Sequence, residues 1–158
     1  MRKAGEILAA AFRGELEDLA YTGHIVVVDR NGTVVHSCGD PEQVVFARSS
    51  AKLLQALPVL ESGAADHYGI TDRELAVICS SHSGEDYHVE AVKGILKKAG
   101  LDEGFLQCGT HYPLYEPLAD EMRRKGICPV PLQEMCSGKH AGMLITSGYL
   151  GESLEDYS

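Results

Sequence analysis

Nowhere in the 158 residues does an apolar run approach the roughly 18 residues that a membrane-crossing helix requires. Basic residues are scarce as well: 14 Lys and Arg stand against 23 Asp and Glu, for a net charge of −9. That balance argues against nucleic acid or an anionic membrane surface as a partner, because either needs a basic patch to displace counterions. A disulfide framework is missing too. Cys38, Cys79, Cys108, Cys128 and Cys136 are odd in number and scattered. The opening MRKAGEILAAAFRGELE lacks the unbroken apolar stretch of a secretory signal, since Glu6, Arg13 and Glu15 interrupt it. It predicts an amphipathic helix, and the thiols predict a reduced, cytoplasmic protein. Repeats, low-complexity tracts and Pro/Gly/Ser-rich linkers are all absent, so the chain reads as one domain of ordinary globular composition.

The patterning that is present predicts strands first and helices after. HIVVVDRNGTVVHSCGDP holds two β-branched runs around Asn31-Gly32, a hairpin signal because the favoured tight turn needs positive φ at both central residues. Strands are expected near 24–29 and 33–38, with a short third one over Val44–Ala47. Ser49 or Ser50 is expected to cap a helix running to about Ser62, with Gly63 just beyond. Thr71 should cap a short helix. EDYHVEAVKGILKKAG puts Val89, Val92, Ile95 and Leu96 on one face, with Ser83 or Gly84 as its cap and Gly100 as its stop. A helix over Pro117–Lys125, an extended CPVPL and a buried helix over Ser137–Tyr149 follow, after which GESLEDYS trails off. The expected class is mixed α/β (α+β), an antiparallel sheet with helices packed against it.

Three polar clusters carry chemistry. In RSSAKLLQALP, Ser49 and Lys52 lie three apart, a spacing that shares a helical face, whereas Ser50 and Lys52 do not. A serine hydroxyl is a poor nucleophile until a base takes its proton. Lysine can be that base near pH 7 only if held well below its ordinary pKa of about 10.4. Leu53, Leu54 and Arg48 are the candidates to do so by burial and charge. The bland alternative is a capping serine beside a surface lysine. CSSHSGEDYHV ends a buried run with Ser80, Ser81, His82 and Ser83 before a helix start, where hydroxyls and N–H groups can hold an oxyanion or merely cap. In CSGKHAGML, Cys136, Lys139 and His140 open a helix. A structural zinc site from Cys108, His111, Cys136 and His140 is conceivable, though its spacings fit known sites only loosely.

Taken in series, these three motifs resemble the bacterial L-asparaginase II family of rhizobial type, over essentially the whole chain from residue 24. The resemblance implies a fold like that of serine β-lactamases, penicillin-recognising enzymes and glutaminases. It implies hydrolysis of L-asparagine to aspartate and ammonia, with Ser49 as nucleophile, Lys52 as its activating base and Ser81 as the second active-site serine. Ser81-His82-Ser83 takes the place of the S-x-N element. It further implies a zinc ion with Cys136 and Lys139 among its ligands, and substrate contacts from Arg48 and His140. Family members are about twice as long, with a D-G-C segment and a further lysine that nothing in 1–158 replaces. The expectation is therefore the N-terminal part of a single asparaginase II-like domain, incomplete as a fold and weakly active or inactive alone. Such a part should pair as a homodimer or with a complementary half, through an exposed apolar face on the helices that begin near Ala51 and Ser137. The rival readings are a non-catalytic zinc-binding or partner-binding half-domain and a β-lactam-binding relative.

Overall fold

The computed structural model describes residues 5–157. Its backbone contacts divide into two compact units, Met1–Phe46 and Ala47–Ser158. The first unit is two separate antiparallel hairpins. β1 (Glu6–Arg13) pairs with β2 (Leu16–Gly23), and β3 (Ile25–Val28) pairs with β4 (Val34–Cys38). The expected opening helix is thus a hairpin instead. Helix propensity is a weak prior that pairing overrides, and the signal passed over is Gly14. It takes φ +65 between two apolar runs, where a helix would need negative φ.

The β3–β4 hairpin lies where the β-branched runs place it, but its turn differs from the tight form. Only Gly32 adopts positive φ, at +82. The Asp29 carboxylate accepts N–H bonds from Asn31 (2.8 Å) and Thr33 (2.9 Å), stabilising a wider loop with a register shift between Val27 and Val28. The third strand is absent among the described residues: Val44, Val45 and Phe46 are unpaired and exposed.

The second unit is helix packed on helix. Its elements are α1 (Lys52–Gln55), α2 (Leu57–Glu61), α3 (Ala64–His67), α4 (Asp72–Ile78), α5 (Asp86–Lys98), α6 (Glu116–Lys125) and α7 (Ser137–Leu150). The single helix expected from Ser49 to Ser62 is broken. A 3-10 turn over Arg48–Ala51 precedes α1, and Pro58, which has no N–H to donate, sits in the first turn of α2. Neither serine caps it. Thr71 does cap α4, through a reciprocal box with Glu74. α5 starts after Glu85 rather than Ser83 or Gly84, because the Ser83 hydroxyl donates to the Glu85 carboxylate at 2.6 Å. CPVPL is extended only as far as Val130, and Pro131–Gln133 forms a 3-10 turn.

α7 is the central helix. Ala141, Leu144 and Ile145 are fully buried against Val92, Ile95 and Leu96 of α5 and Val77 and Ile78 of α4. The expected apolar exposure is therefore found on α1 and α2, where Leu53, Leu54, Leu57 and Leu60 face solvent, and not on the body of α7. Nor does the tail trail off, for Tyr157 is part of the core. α4 and α7 approach closely because α7 carries glycine there. A Cβ on Gly138 would run into the Val77 carbonyl oxygen and lie 2.8 Å from its carbon. Backbone cannot swing aside as a side chain can, so Gly138→Ala is expected to cost about 2–3 kcal/mol. Urea unfolding checks this, a midpoint unchanged from wild type being the contrary result.

Candidate active site

Three segments of the second unit converge on Lys52. α1 supplies the lysine, the Ser80–Gly84 loop leaves the end of α4, and the Leu132–Cys136 segment runs into α7. Lys52 is 3% exposed, an extreme for a lysine that must be matched by polar partners. Its Nζ donates to the Ser80 carbonyl at 2.8 Å, to Ser81 Oγ at 3.0 Å and to the Met135 carbonyl at 3.5 Å. An ammonium group has three N–H donors, and here it has three acceptors. A neutral amine would be satisfied equally well. Two N–H groups would stay on the carbonyls, and its lone pair would accept the Ser81 hydroxyl proton.

The lysine's partner is thus Ser81. Among the described residues no hydrogen bond joins Ser49 Oγ to Lys52, although the Lys52 backbone N–H donates to the Ser49 carbonyl. The side chain spends its three donors on the two loops. Leu53, Leu54 and Arg48, expected to shield it, are all exposed, so the shielding comes from residues distant in sequence. Ser49 itself is exposed, and it follows Arg48, the one non-glycine residue with positive φ (+48) among the described residues. A side chain in that region costs on the order of 1–3 kcal/mol.

His82 follows Ser81 and is buried. Its Nδ1 accepts the Gly84 N–H at 3.2 Å, so the proton of the neutral ring resides on Nε2, which donates to Ser137 Oγ at 2.9 Å. The Ser137 hydroxyl donates onward to the Leu132 carbonyl at 2.9 Å. Burial, then the charges of His88, Lys52 and His111, pushes the His82 pKa down to about 4. His140 is also buried and held below the ordinary histidine value, first by burial and then by Lys139. Its Nδ1 lies 3.0 Å from Tyr157 Oη, and that oxygen also accepts the Gln107 N–H at 2.7 Å.

Cys136 is the residue before α7, and its N–H donates to buried Glu134 at 2.6 Å. Among the described residues no three His, Cys, Asp or Glu side chains are grouped to hold a metal ion. Cys136 and Lys139, one helical turn apart, offer two donors where a tetrahedral zinc needs four. The alternative set is not assembled either. Cys108 Sγ lies 3.7 Å from the Pro131 carbonyl. His111 uses Nδ1 on the Tyr112 carbonyl and Nε2 on the Met135 N–H. His140 uses Nδ1 on Tyr157. The residues present do not complete a zinc site.

Burial, together with the neighbouring Glu134 carboxylate, pushes the Cys108 thiol up to about 12. Since only the thiolate is nucleophilic, iodoacetamide at pH 8 is expected to modify exposed Cys128 and leave Cys108 unmodified, as peptide mass mapping will show. Equal modification of both in folded protein is the contrary outcome.

Sequence reasoning placed Lys52 and Ser81 in one site but missed Met135, Ser137 and Tyr157. A backbone carbonyl such as that of Met135 has no sequence signature. Ser137 was readable as part of CSGKHAGML but carried no role of its own. A family model described as L-asparaginase II matches residues 9–158. Comparison with curated proteins gives no match.

Proposed function

The chain belongs to the L-asparaginase II family, and from that premise we propose that it is an asparaginase-type amidohydrolase acting on L-asparagine through serine and lysine. The observation that carries the reading is the buried Lys52 amine 3.0 Å from Ser81 Oγ. Ser49 attacks the side-chain amide carbon, forming an acyl–oxygen bond. Its proton passes by way of Ser81 to Lys52, which returns it to the departing nitrogen as the C–N bond breaks and ammonia leaves. Water then cleaves the ester in the same way, releasing aspartate. The positive φ of Arg48 supports Ser49 as nucleophile, since strain of this kind concentrates where a side chain must be aimed. Arg48 and His140 are assigned to the substrate's charged groups.

A second reading has its own observation. Ser81 is the hydroxyl in direct hydrogen-bonding contact with the base, so it could be the attacking group itself. A diazoketone analogue of asparagine, which alkylates the attacking oxygen, separates the two by mass mapping of the tagged peptide. A tag on Ser49 supports the first reading and a tag on Ser81 the second. Absence of asparagine turnover by the chain, alone and mixed with a complementary segment, would overturn both.

Cys136 and Lys139 would contribute to a zinc site only if further ligands come from another chain or segment. Leu53, Leu54, Leu57 and Leu60 support pairing with a second copy or a complementary half, which light scattering tests. Five unpaired cysteines are in keeping with a cytoplasmic setting, and among the described residues no helix is long and apolar enough to cross a membrane.

A further inference from the structure

Two short segments have to be held together for Ser81 to meet Lys52: the Ser80–Gly84 loop and the stretch from Leu132 to Ser137. The His82 N–H donates to the Met135 carbonyl at 3.1 Å, the same oxygen that lies 3.5 Å from Lys52 Nζ. The His82 side chain adds a second tie, Nε2 to Ser137 Oγ, and Ser137 anchors back to the Leu132 carbonyl. Ser137 is fully buried at the first turn of α7. The loop is further seated by Gly84 at φ +78, where a Cβ would stand 2.9 Å from the Gln133 carbonyl oxygen. On its other side the His82 ring stacks on His88, centroids 5.0 Å apart and planes 20° from parallel.

We propose that His82 is a positioning residue: through Ser137 it clamps the Ser81 loop to the start of α7 and so keeps Ser81 Oγ against Lys52. The ring does two things at once, accepting from Gly84 and donating to Ser137, and only a neutral imidazole can do both. Glutamine can reproduce the donor at similar reach, while alanine cannot. For its kinetic consequence the proposal rests on the amidohydrolase reading. For the geometry it does not.

The test uses the full chain carrying His82→Ala, His82→Gln, Ser137→Ala or both alanine changes. Acetylation of Lys52 by acetic anhydride, followed by mass spectrometry, is measured relative to exposed Lys93. His82→Ala and Ser137→Ala are each expected to raise Lys52 labelling about tenfold, as when one buried hydrogen bond no longer holds the loop closed. The double variant should match either single one, and His82→Gln should stay close to wild type. With asparagine as substrate, kcat should fall about 10²-fold in the alanine variants with KM little changed, the signature of a misplaced reacting group. A merely structural role would lower the melting temperature without separating kcat from KM or allowing rescue by glutamine. Where His82→Ala fails to fold, Ser137→Ala carries the same test. A cooperatively folded alanine variant that labels Lys52 at the wild-type rate overturns the proposal. If the wild-type chain hydrolyses no asparagine, alone or mixed with a complementary segment, the amidohydrolase reading fails, while the labelling still decides the clamp.

Discussion

Lys52→Arg is expected to abolish asparagine turnover, by about 10²–10⁴-fold, while leaving the fold nearly as stable as wild type. The size is that of removing a general base. The two effects separate because Lys52 holds two jobs. Its N–H groups satisfy the Ser80 and Met135 carbonyls, and in the proposed mechanism its lone pair receives a proton from Ser81. Arginine is a donor with no accessible neutral form, so it can keep the carbonyls paired but cannot take the proton. Lys52→Met removes both functions. It should be equally inactive and also less stable, since each buried carbonyl left without a donor costs about 1–3 kcal/mol. Steady-state ammonia release and urea midpoints measure the two quantities. Arginine activity within tenfold of wild type would remove Lys52 from the proton path.

Acidification from pH 6.5 towards 4 is expected to take away about 3 kcal/mol of stability through His82 alone, the free-energy equivalent of its lowered pKa. Buried His82 binds its proton only near pH 4, whereas in the unfolded chain it does so near 6.5. Within that window the unfolded state therefore holds more protons, and stability falls as pH falls. Above it the neutral ring is common to both states and its contribution is complete. His88 and His140 are displaced in the same direction, chiefly by burial, and add to the loss. Urea midpoints at pH 7.5, 5.5 and 4.5 trace the curve, and His82→Gln should flatten it. A wild-type midpoint constant across those three values would contradict the buried neutral ring.

Elements dictated by their own local chemistry were legible in the chain. α5 follows from four apolar residues on one helical face and a glycine stop at Gly100, and α6 from its end at Gly126, while α7, expected over Ser137–Tyr149, runs to Leu150. The β3–β4 hairpin follows from β-branched residues flanking Gly32, where the backbone takes positive φ. The β1–β2 hairpin was legible only through Gly14, because alanine-rich EILAAAFR by itself satisfies a helix as readily as a strand until a partner strand pairs with it.

The site divides the same way. Its motifs, and the membership they imply, lie in the order of the residues. The pairings inside it are tertiary, since the groups that hold Lys52 are 28, 29 and 83 residues away and two of the three are backbone carbonyls. Helical spacing pointed to Ser49 as the lysine's partner because local spacing counts only neighbours on one helix. The buried amine took the acceptors that two distant loops brought to it, since a polar group removed from water must be matched wherever partners exist. What the residues determined unaided was which groups take part. Which of them meet was decided by burial.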